Sequence, residues 1–193
     1  MSQKIQLEKK IIEQKDKLKP YGYQFKNFLP EKFRSRNLVG FVEDSSNTRY
    51  AAKFSEKPKL KDEFLLMKNF SHANIMEAFK FIDAEEFYTI IMPIAEGGDL
   101  TEVLSSQDLT QTNIQYIMRS IFTALNVIHT AGYIHRDVKM ENIFVMGKTV
   151  NTRIVLADFE SMIKDDAPKK YYGTPNYEAP EMLKGEECMF LII

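Results

Sequence analysis

An α+β fold of two lobes, a small antiparallel sheet lobe with one helix and then a mainly helical lobe, is predicted by three features of the sequence. Residues 21 to 54 alternate apolar and polar positions with the two-residue period of strands. Leu60, Phe64, Met67 and Phe70 then recur at three- and four-residue steps, as does a longer series beginning near Thr112. Between these helical series, Pro93 and the Gly97-Gly98 pair interrupt all periodicity and suggest a hinge.

Taken in order, the elements divide the chain into a charged helical extension over 1–20, a β-rich lobe over 21–92, a hinge over 93–98 and a partial helical lobe over 99–193. The extension carries six lysines against Glu8, Glu13 and Asp16, with scattered apolar residues, and reads as a solvated or frayed helix, with a docking segment as the alternative. Leu38 to Val42 and Tyr50 to Phe54 flank a Glu43-Asp44-Ser45-Ser46-Asn47 turn and read as a hairpin. Pro58 opens the first helix of the sheet lobe, and Ser71-His72-Ala73-Asn74 stops it. Ala78 to Ile82 and Phe87 to Met92 supply two more strands. From Thr112, taken as the cap, Ile114, Ile117, Met118, Ile121, Leu125 and Ile128 trace one helical stripe ending at Gly132. Two short strands, Ile143 to Val145 and Arg153 to Leu156, then set Asp137, Asn142 and Asp158 at neighbouring strand ends.

The bulk numbers exclude several classes. The 193 residues are 44% hydrophobic and 27% charged, enough for a packed core. A net charge of −1 provides no field favouring nucleic acid or an acidic membrane surface. No apolar run approaches a membrane span, and Met189 to Ile193 is far too short. One cysteine, Cys188, and no secretion signal at Met1 place the chain in the cytosol or nucleus.

The most informative stretch is His135-Arg136-Asp137-Val138-Lys139-Met140-Glu141-Asn142. A carboxylate two residues before a lysine can orient a hydroxyl while the ammonium holds a migrating phosphate. An amide five residues after the carboxylate can ligate Mg²⁺. Each residue alone is an ordinary loop residue; together they point to phosphoryl transfer.

From about Tyr21 to Glu181 the motifs resemble a eukaryotic-type protein kinase, whose signature set they match in order. They are Ala51-Ala52-Lys53, Glu63 before His72-Ala73-Asn74-Ile75, Gly97-Gly98-Asp99-Leu100, the His135 to Asn142 loop, Asp158-Phe159, and Gly173-Thr174-Pro175 through Ala179-Pro180-Glu181. Lys139 and the Gly173 to Tyr177 run look like the serine/threonine branch. The resemblance implies a bilobal kinase-like fold and transfer of the ATP γ-phosphoryl group to a protein hydroxyl, with ATP and Mg²⁺ as cofactors.

It further implies that Lys53 holds the α and β phosphates while Glu63 fixes its ammonium. Asp137 orients the substrate hydroxyl, Lys139 neutralises the γ-phosphate, and Thr174 supports the catalytic loop. Asn142 and Asp158 hold Mg²⁺ through hard oxygen ligands. The Pro93 carbonyl and Ala95 amide meet the adenine edge, and Asp99 lies near the ribose. His135 packs against Phe159 and Met67 and has no acid–base part. Arg136 can pair with a phosphate on the segment after Phe159, where Ser161, Tyr171 and Tyr172 are candidate acceptors.

The chain also departs from the pattern. Phe28 to Asn37 lacks the glycine-rich phosphate cover, with no glycine before Gly40, although Lys32, Arg34 or Arg36 can compensate in part. Glu160 replaces the glycine after Asp158-Phe159. Only ten residues separate Lys53 from Glu63, so Glu56 and Asp62 remain alternative partners. After Glu181 only twelve residues follow, and there is no tryptophan, so the chain reads as a kinase truncated in its large lobe. A partner covering the apolar C-terminal end is one expectation from that. A pseudokinase-like binding module and an inactive truncated fragment are the competing readings.

Overall fold

The computed structural model describes residues 3–30, 38–166, 174, 176 and 177. They form two compact units: residues 1–69 with 77–94, and residues 70–76 with 95–193.

The first unit is a five-stranded antiparallel sheet in the order β1-β2-β3-β5-β4. The strands are β1 (Tyr23–Phe28), β2 (Leu38–Asp44), β3 (Arg49–Ser55), β4 (Lys80–Asp83) and β5 (Tyr88–Met92). Asp44 organises the β2–β3 turn by accepting from the Ser46 and Thr48 amides, at 2.8 and 3.0 Å, with Asn47 in the left-handed region. Gly40 is used for packing: a Cβ there would stand 2.8 Å from the Asn27 carbonyl, under the Phe25 and Phe28 rings.

Strand alternation gives the sheet two different faces. Ala52 and Phe54 of β3 share one face with Leu38 and Val42 of β2 and Ile91 of β5, by the register Leu38↔Phe54 and Ala52↔Ile91. Lys53 points to the opposite face. There α2 (Leu60–Asn69) brings Glu63 to Lys53, and Phe64 meets Phe81 of β4 at 5.8 Å between ring centroids.

The N-terminal extension differs from the solvated helix expected of it. Helix α1 (Gln3–Gln14) and the 3₁₀ stretch Lys15–Tyr21 bury Leu7, Ile11 and Leu18 in one cluster with Leu38, Val42, Ala52, Phe54, Ile82 and Phe87. Leu7, Ile11 and Leu18 recur at four- and seven-residue steps and form an apolar stripe; the sheet's second apolar face supplies the surface it needs.

Thr89 sits on that covered face of β5, opposite Phe54 and Ile82, wholly buried, and its hydroxyl has no hydrogen-bond partner. A buried unsatisfied polar group costs about 1 to 3 kcal/mol. Thr89→Val keeps the shape and removes the hydroxyl, so it should raise stability by about 1 kcal/mol in urea unfolding. A loss of stability would contradict the unsatisfied state.

In the second unit, α3 (Leu100–Ser106) and α4 (Gln111–Thr130) accompany two small antiparallel pairs. These are β6 (Tyr133–Ile134) with β9 (Ile163–Lys164), and β7 (Ile143–Val145) with β8 (Ile154–Leu156). The cap of α4 is Thr110, not Thr112: its hydroxyl accepts from the Asn113 amide, and the Asn113 side chain accepts from the Thr110 amide. The predicted stripe also divides. Ile117, Ile121 and Ile128 are buried, joined by Ala124 outside the predicted set, whereas Ile114 and Met118 are 50% and 42% exposed, lying further round the helix. Residues 70–76 cluster with this unit because the Leu156 amide donates to the Asn74 carbonyl and the Asn74 side-chain amide to the Ile154 carbonyl. No helix among the described residues is long and apolar enough to cross a membrane.

Candidate active site

The first unit contributes a buried ion pair. Lys53 Nζ lies 2.7 and 2.8 Å from the two Glu63 carboxylate oxygens, with the side chains 7% and 4% exposed. Of the three acidic residues open at the sequence level, Glu63 is therefore the one on the lysine, and Glu56 pairs with Lys10 instead, at 2.7 Å. The short connection suffices because Lys57 to Lys59 form a tight turn that starts α2 directly: the Leu60 amide donates to the Lys57 carbonyl and Lys61 to Pro58. Pro93 and Ile94 close this unit, and Ala95 opens the next.

The second unit holds the catalytic-loop residues in one network. Lys139 Nζ donates to Asp137 Oδ2 and to Thr174 Oγ1, both at 2.8 Å, and the Thr174 hydroxyl donates to Asp137 Oδ1 at 2.6 Å. Asn142 Nδ2 donates to the Asp137 carbonyl at 2.8 Å and to its Oδ2 at 3.1 Å. Local backbone explains the convergence. A 3₁₀ turn over Met140–Asn142 leads into β7, closed by the Asn142 amide on the Lys139 carbonyl. The Ala157 amide then ties the end of β8 to the Asn142 carbonyl, which brings Asp158 beside it in the chain.

Two residues in this loop adopt the left-handed region that non-glycine residues seldom occupy: Arg136 at φ 67° and Asp158 at φ 65°. Arg136 is held there by Nε donating to the Ser161 carbonyl at 2.7 Å. Ser161, one of the expected phosphate acceptors, is itself buried. Tyr171 and Tyr172, the Phe28 to Asn37 stretch beyond residue 30, Gly173, Pro175, Ala179 to Glu181, Cys188 and the apolar end 189–193 lie outside the described residues.

Burial pushes the Asp137 carboxyl up, but bonds from Lys139, Thr174 and Asn142 and the Lys139 charge outweigh it and hold the group below the ordinary carboxylate range. His135 is buried and meets the Phe159 ring edge-on at 5.4 Å, while Phe159 stacks on Phe70 at 6.5 Å. Its Nδ1 accepts from the Asp137 amide at 3.3 Å, so Nε2 carries the hydrogen donated to the Ala157 carbonyl at 3.1 Å. Burial lowers the His135 pKa despite the raising influence of Asp158, Ala157 and Asp137.

A neutral imidazole therefore positions the Asp137 backbone, and protonation at Nδ1 would break that bond. The folded pKa lies below the unfolded value of about 6.5, so the unfolded chain binds more protons below that pH. The stability contributed by neutral His135 is present above about pH 6.5 and is lost as pH falls through the folded value. Melting temperatures should fall between pH 7.5 and pH 5, and His135→Phe should flatten that slope; an unchanged slope would refute the assignment.

Asp99, expected only beside a ribose, has a local task that went unread, although its Asp-x-x-Glu spacing is a signal for it. It caps α3, accepting from the Glu102 amide at 3.0 Å, while Glu102 accepts from the Asp99 amide at 3.2 Å. Gly97, just before it, passes so close to β7 that a Cβ would lie 2.7 Å from Val145 Cγ1, and its amide donates to the Val145 carbonyl at 3.0 Å. The anchoring by Asn74 had no distinct sequence signal beyond a turn composition.

For a divalent cation, the hard-oxygen candidates are the Asp158 carboxylate and Asn142 Oδ1, the amide nitrogen being turned toward Asp137. Among the described residues no three His, Cys, Asp or Glu gather as a metal cage. Two oxygen ligands from the protein suit Mg²⁺, which takes its remaining positions from phosphates and water. The donor set fits the metal.

The sequence has counterparts in known proteins. The protein kinase domain model matches residues 38–190. Calcium-dependent protein kinase 5 of Plasmodium falciparum (isolate 3D7) is 30% identical over 160 residues, 78% of this chain and 28% of that protein. Calcium/calmodulin-dependent protein kinase type 1 of Caenorhabditis elegans is 26% identical over 172 residues, 84% of this chain and 49% of that protein. Calcium-dependent protein kinase 3 of Plasmodium yoelii yoelii is 30% identical over 138 residues, 69% of this chain and 26% of that protein. The chain thus spans about a quarter to a half of the length of these curated relatives.

Proposed function

Because the chain belongs to the protein kinase family, we propose that it transfers the γ-phosphoryl group of ATP to a serine or threonine hydroxyl of a protein substrate. The observation that carries this reading is the closed network of Asp137, Lys139, Thr174 and Asn142 around one carboxylate.

Asp137 accepts a hydrogen bond from the substrate hydroxyl and orients its oxygen for in-line attack. Held below the usual range, the carboxylate is a weak base, suited to orientation first and proton acceptance late, as a loose transition state requires. Lys139 spends two of its three donors on Asp137 and Thr174 and directs the third to a γ-phosphate oxygen. Thr174 couples both groups, so the loop is set only when that hydroxyl is in place. Lys53, oriented by Glu63, holds the α and β phosphates; the Pro93 carbonyl, Ala95 amide and Asp99 take the adenine and ribose. Asn142 and Asp158 hold Mg²⁺, which when bound supplies charge neutralisation at the phosphate oxygens.

The test is a thermal melt with and without Mg-ATP, followed by phosphotransfer to serine- and tyrosine-containing peptides. Ligand at 100 times its dissociation constant adds about 2.7 kcal/mol. A metal-dependent shift with serine transfer supports the proposal; a shift without turnover leaves a pseudokinase-like binding module; no shift refutes both.

A further inference from the structure

We propose that the N-terminal segment Gln3–Tyr21, which lies outside the family match, is a positioning clamp that holds β3 and the β3–α2 connection so that Lys53 stays on Glu63. The proposal rests on the nucleotide role given above to that pair.

Three observations within the first unit carry it. The strand that bears Lys53 on one face carries Ala52 and Phe54 on the other, and these are sealed by Leu7, Ile11 and Leu18. Phe54 is the centre of this contact, with Phe25, Phe28 and Phe87 rings 5.9 to 6.0 Å away. Rigid packing behind a strand fixes the direction of the side chains in front of it.

Second, Lys10 of α1 reaches Glu56 at 2.7 Å and also approaches Glu86 at 4.0 Å. Glu56 lies three residues after Lys53 and seven before Glu63, on the short connection whose course sets where α2 stands. Third, the far end of the segment is tied to the β4–β5 turn. Lys17 meets Glu85 at 3.0 Å, the Tyr21 hydroxyl donates to the Asp83 carbonyl at 2.7 Å, and Lys80 donates to the Tyr21 carbonyl at 2.8 Å. The segment therefore lies across the covered face of the sheet and is fastened at the end of β3 and along the β4 edge, with its turn into β5. One half-exposed ion pair is a weak tie, but the apolar contact beneath Lys10 fixes its placement.

A helix that merely added stability would protect the whole sheet equally, whereas a clamp acts first on α2. The experiment compares the full chain with Lys10→Glu, the charge reversal Lys10→Glu/Glu56→Lys, and Ile11→Ala. Amide hydrogen exchange is read separately over residues 56–69, over β2 and β5, and over α4, together with the affinity for a fluorescent ATP analogue.

Lys10→Glu should speed exchange over 56–69 by about two- to five-fold with little change in β5 or α4, and the reversal should restore it. Ile11→Ala should raise it by about thirty-fold or more. Analogue affinity should weaken in parallel. Unchanged exchange over 56–69 in Lys10→Glu, failure of the reversal to restore it, or uniform acceleration across the sheet would each overturn the clamp. If exchange responds as expected while no variant nor the parent chain binds the analogue, the clamp stands and the nucleotide reading is what fails.

Discussion

Asp137→Ala should lower phosphoryl transfer by about 10²- to 10⁴-fold, the usual contribution of a positioned acid–base group. The reason lies in how completely the carboxylate is used: Oδ1 takes the Thr174 hydroxyl, and Oδ2 takes both Lys139 and Asn142. Its removal also leaves the Lys139 ammonium nearly buried and short of its counter-charge, since the two side chains are 9% and 5% exposed. Breaking such a pair costs about 3 to 5 kcal/mol, so a lower melting temperature should accompany the lost turnover. Asp137→Asn separates the two effects. It keeps an oxygen for Lys139 and Asn142 and an amide that can donate to the Thr174 hydroxyl, so it should melt closer to the parent while transferring as poorly as the alanine variant. Turnover above a tenth of the parent rate in either variant would remove Asp137 from the reaction.

Breaking the Lys53–Glu63 pair should be nearly as costly. Glu63→Ala leaves an ammonium among buried groups and should destabilise the first unit by about 3 to 5 kcal/mol. Lys53→Met leaves a carboxylate that can take up a proton, a cheaper escape, so its cost should be smaller. The double variant Lys53→Met/Glu63→Leu should recover most of the loss, because replacing both charges with apolar groups of similar volume is often neutral or stabilising. All three should bind nucleotide weakly. A double-mutant cycle with no coupling energy would show that the 2.7 and 2.8 Å contacts contribute nothing to the fold.

Acidic and basic residues in the catalytic loop were legible because their chemistry depends on chain spacing over a few residues. Asp137, Lys139 and Asn142 fall within six positions, and a single 3₁₀ turn closes them into one network. The sheet strands were legible for a similar reason, since a period of two is a local property. Thr174 is of another kind. It lies 35 residues from Lys139, and its place in the network depends on a hydrogen bond that no local pattern encodes. The family resemblance anticipated it, whereas periodicity and spacing did not.

The N-terminal extension marks the same boundary between local and distant information. Its lysines are evident and its apolar positions sparse, and judged without a neighbour it is a charged helix in water. Whether Leu7, Ile11 and Leu18 are buried depends on a matching apolar surface elsewhere, and Phe54 and its neighbours present one. The choice among Glu56, Asp62 and Glu63 was open for that reason too. All three carboxylates lie within reach along the chain, and the tight turn at Lys57 to Lys59 and the burial of α2 select Glu63.

Residue identities and short spacings therefore set the elements, the loop chemistry and the family to which the chain belongs, because backbone periodicity and reactive-group spacing are local. Which carboxylate meets Lys53, which faces are covered and which charges are desolvated were settled by contacts between segments tens of residues apart. Burial and electrostatic pairing are properties of a surface and its neighbour together, and that surface exists only once the chain has folded.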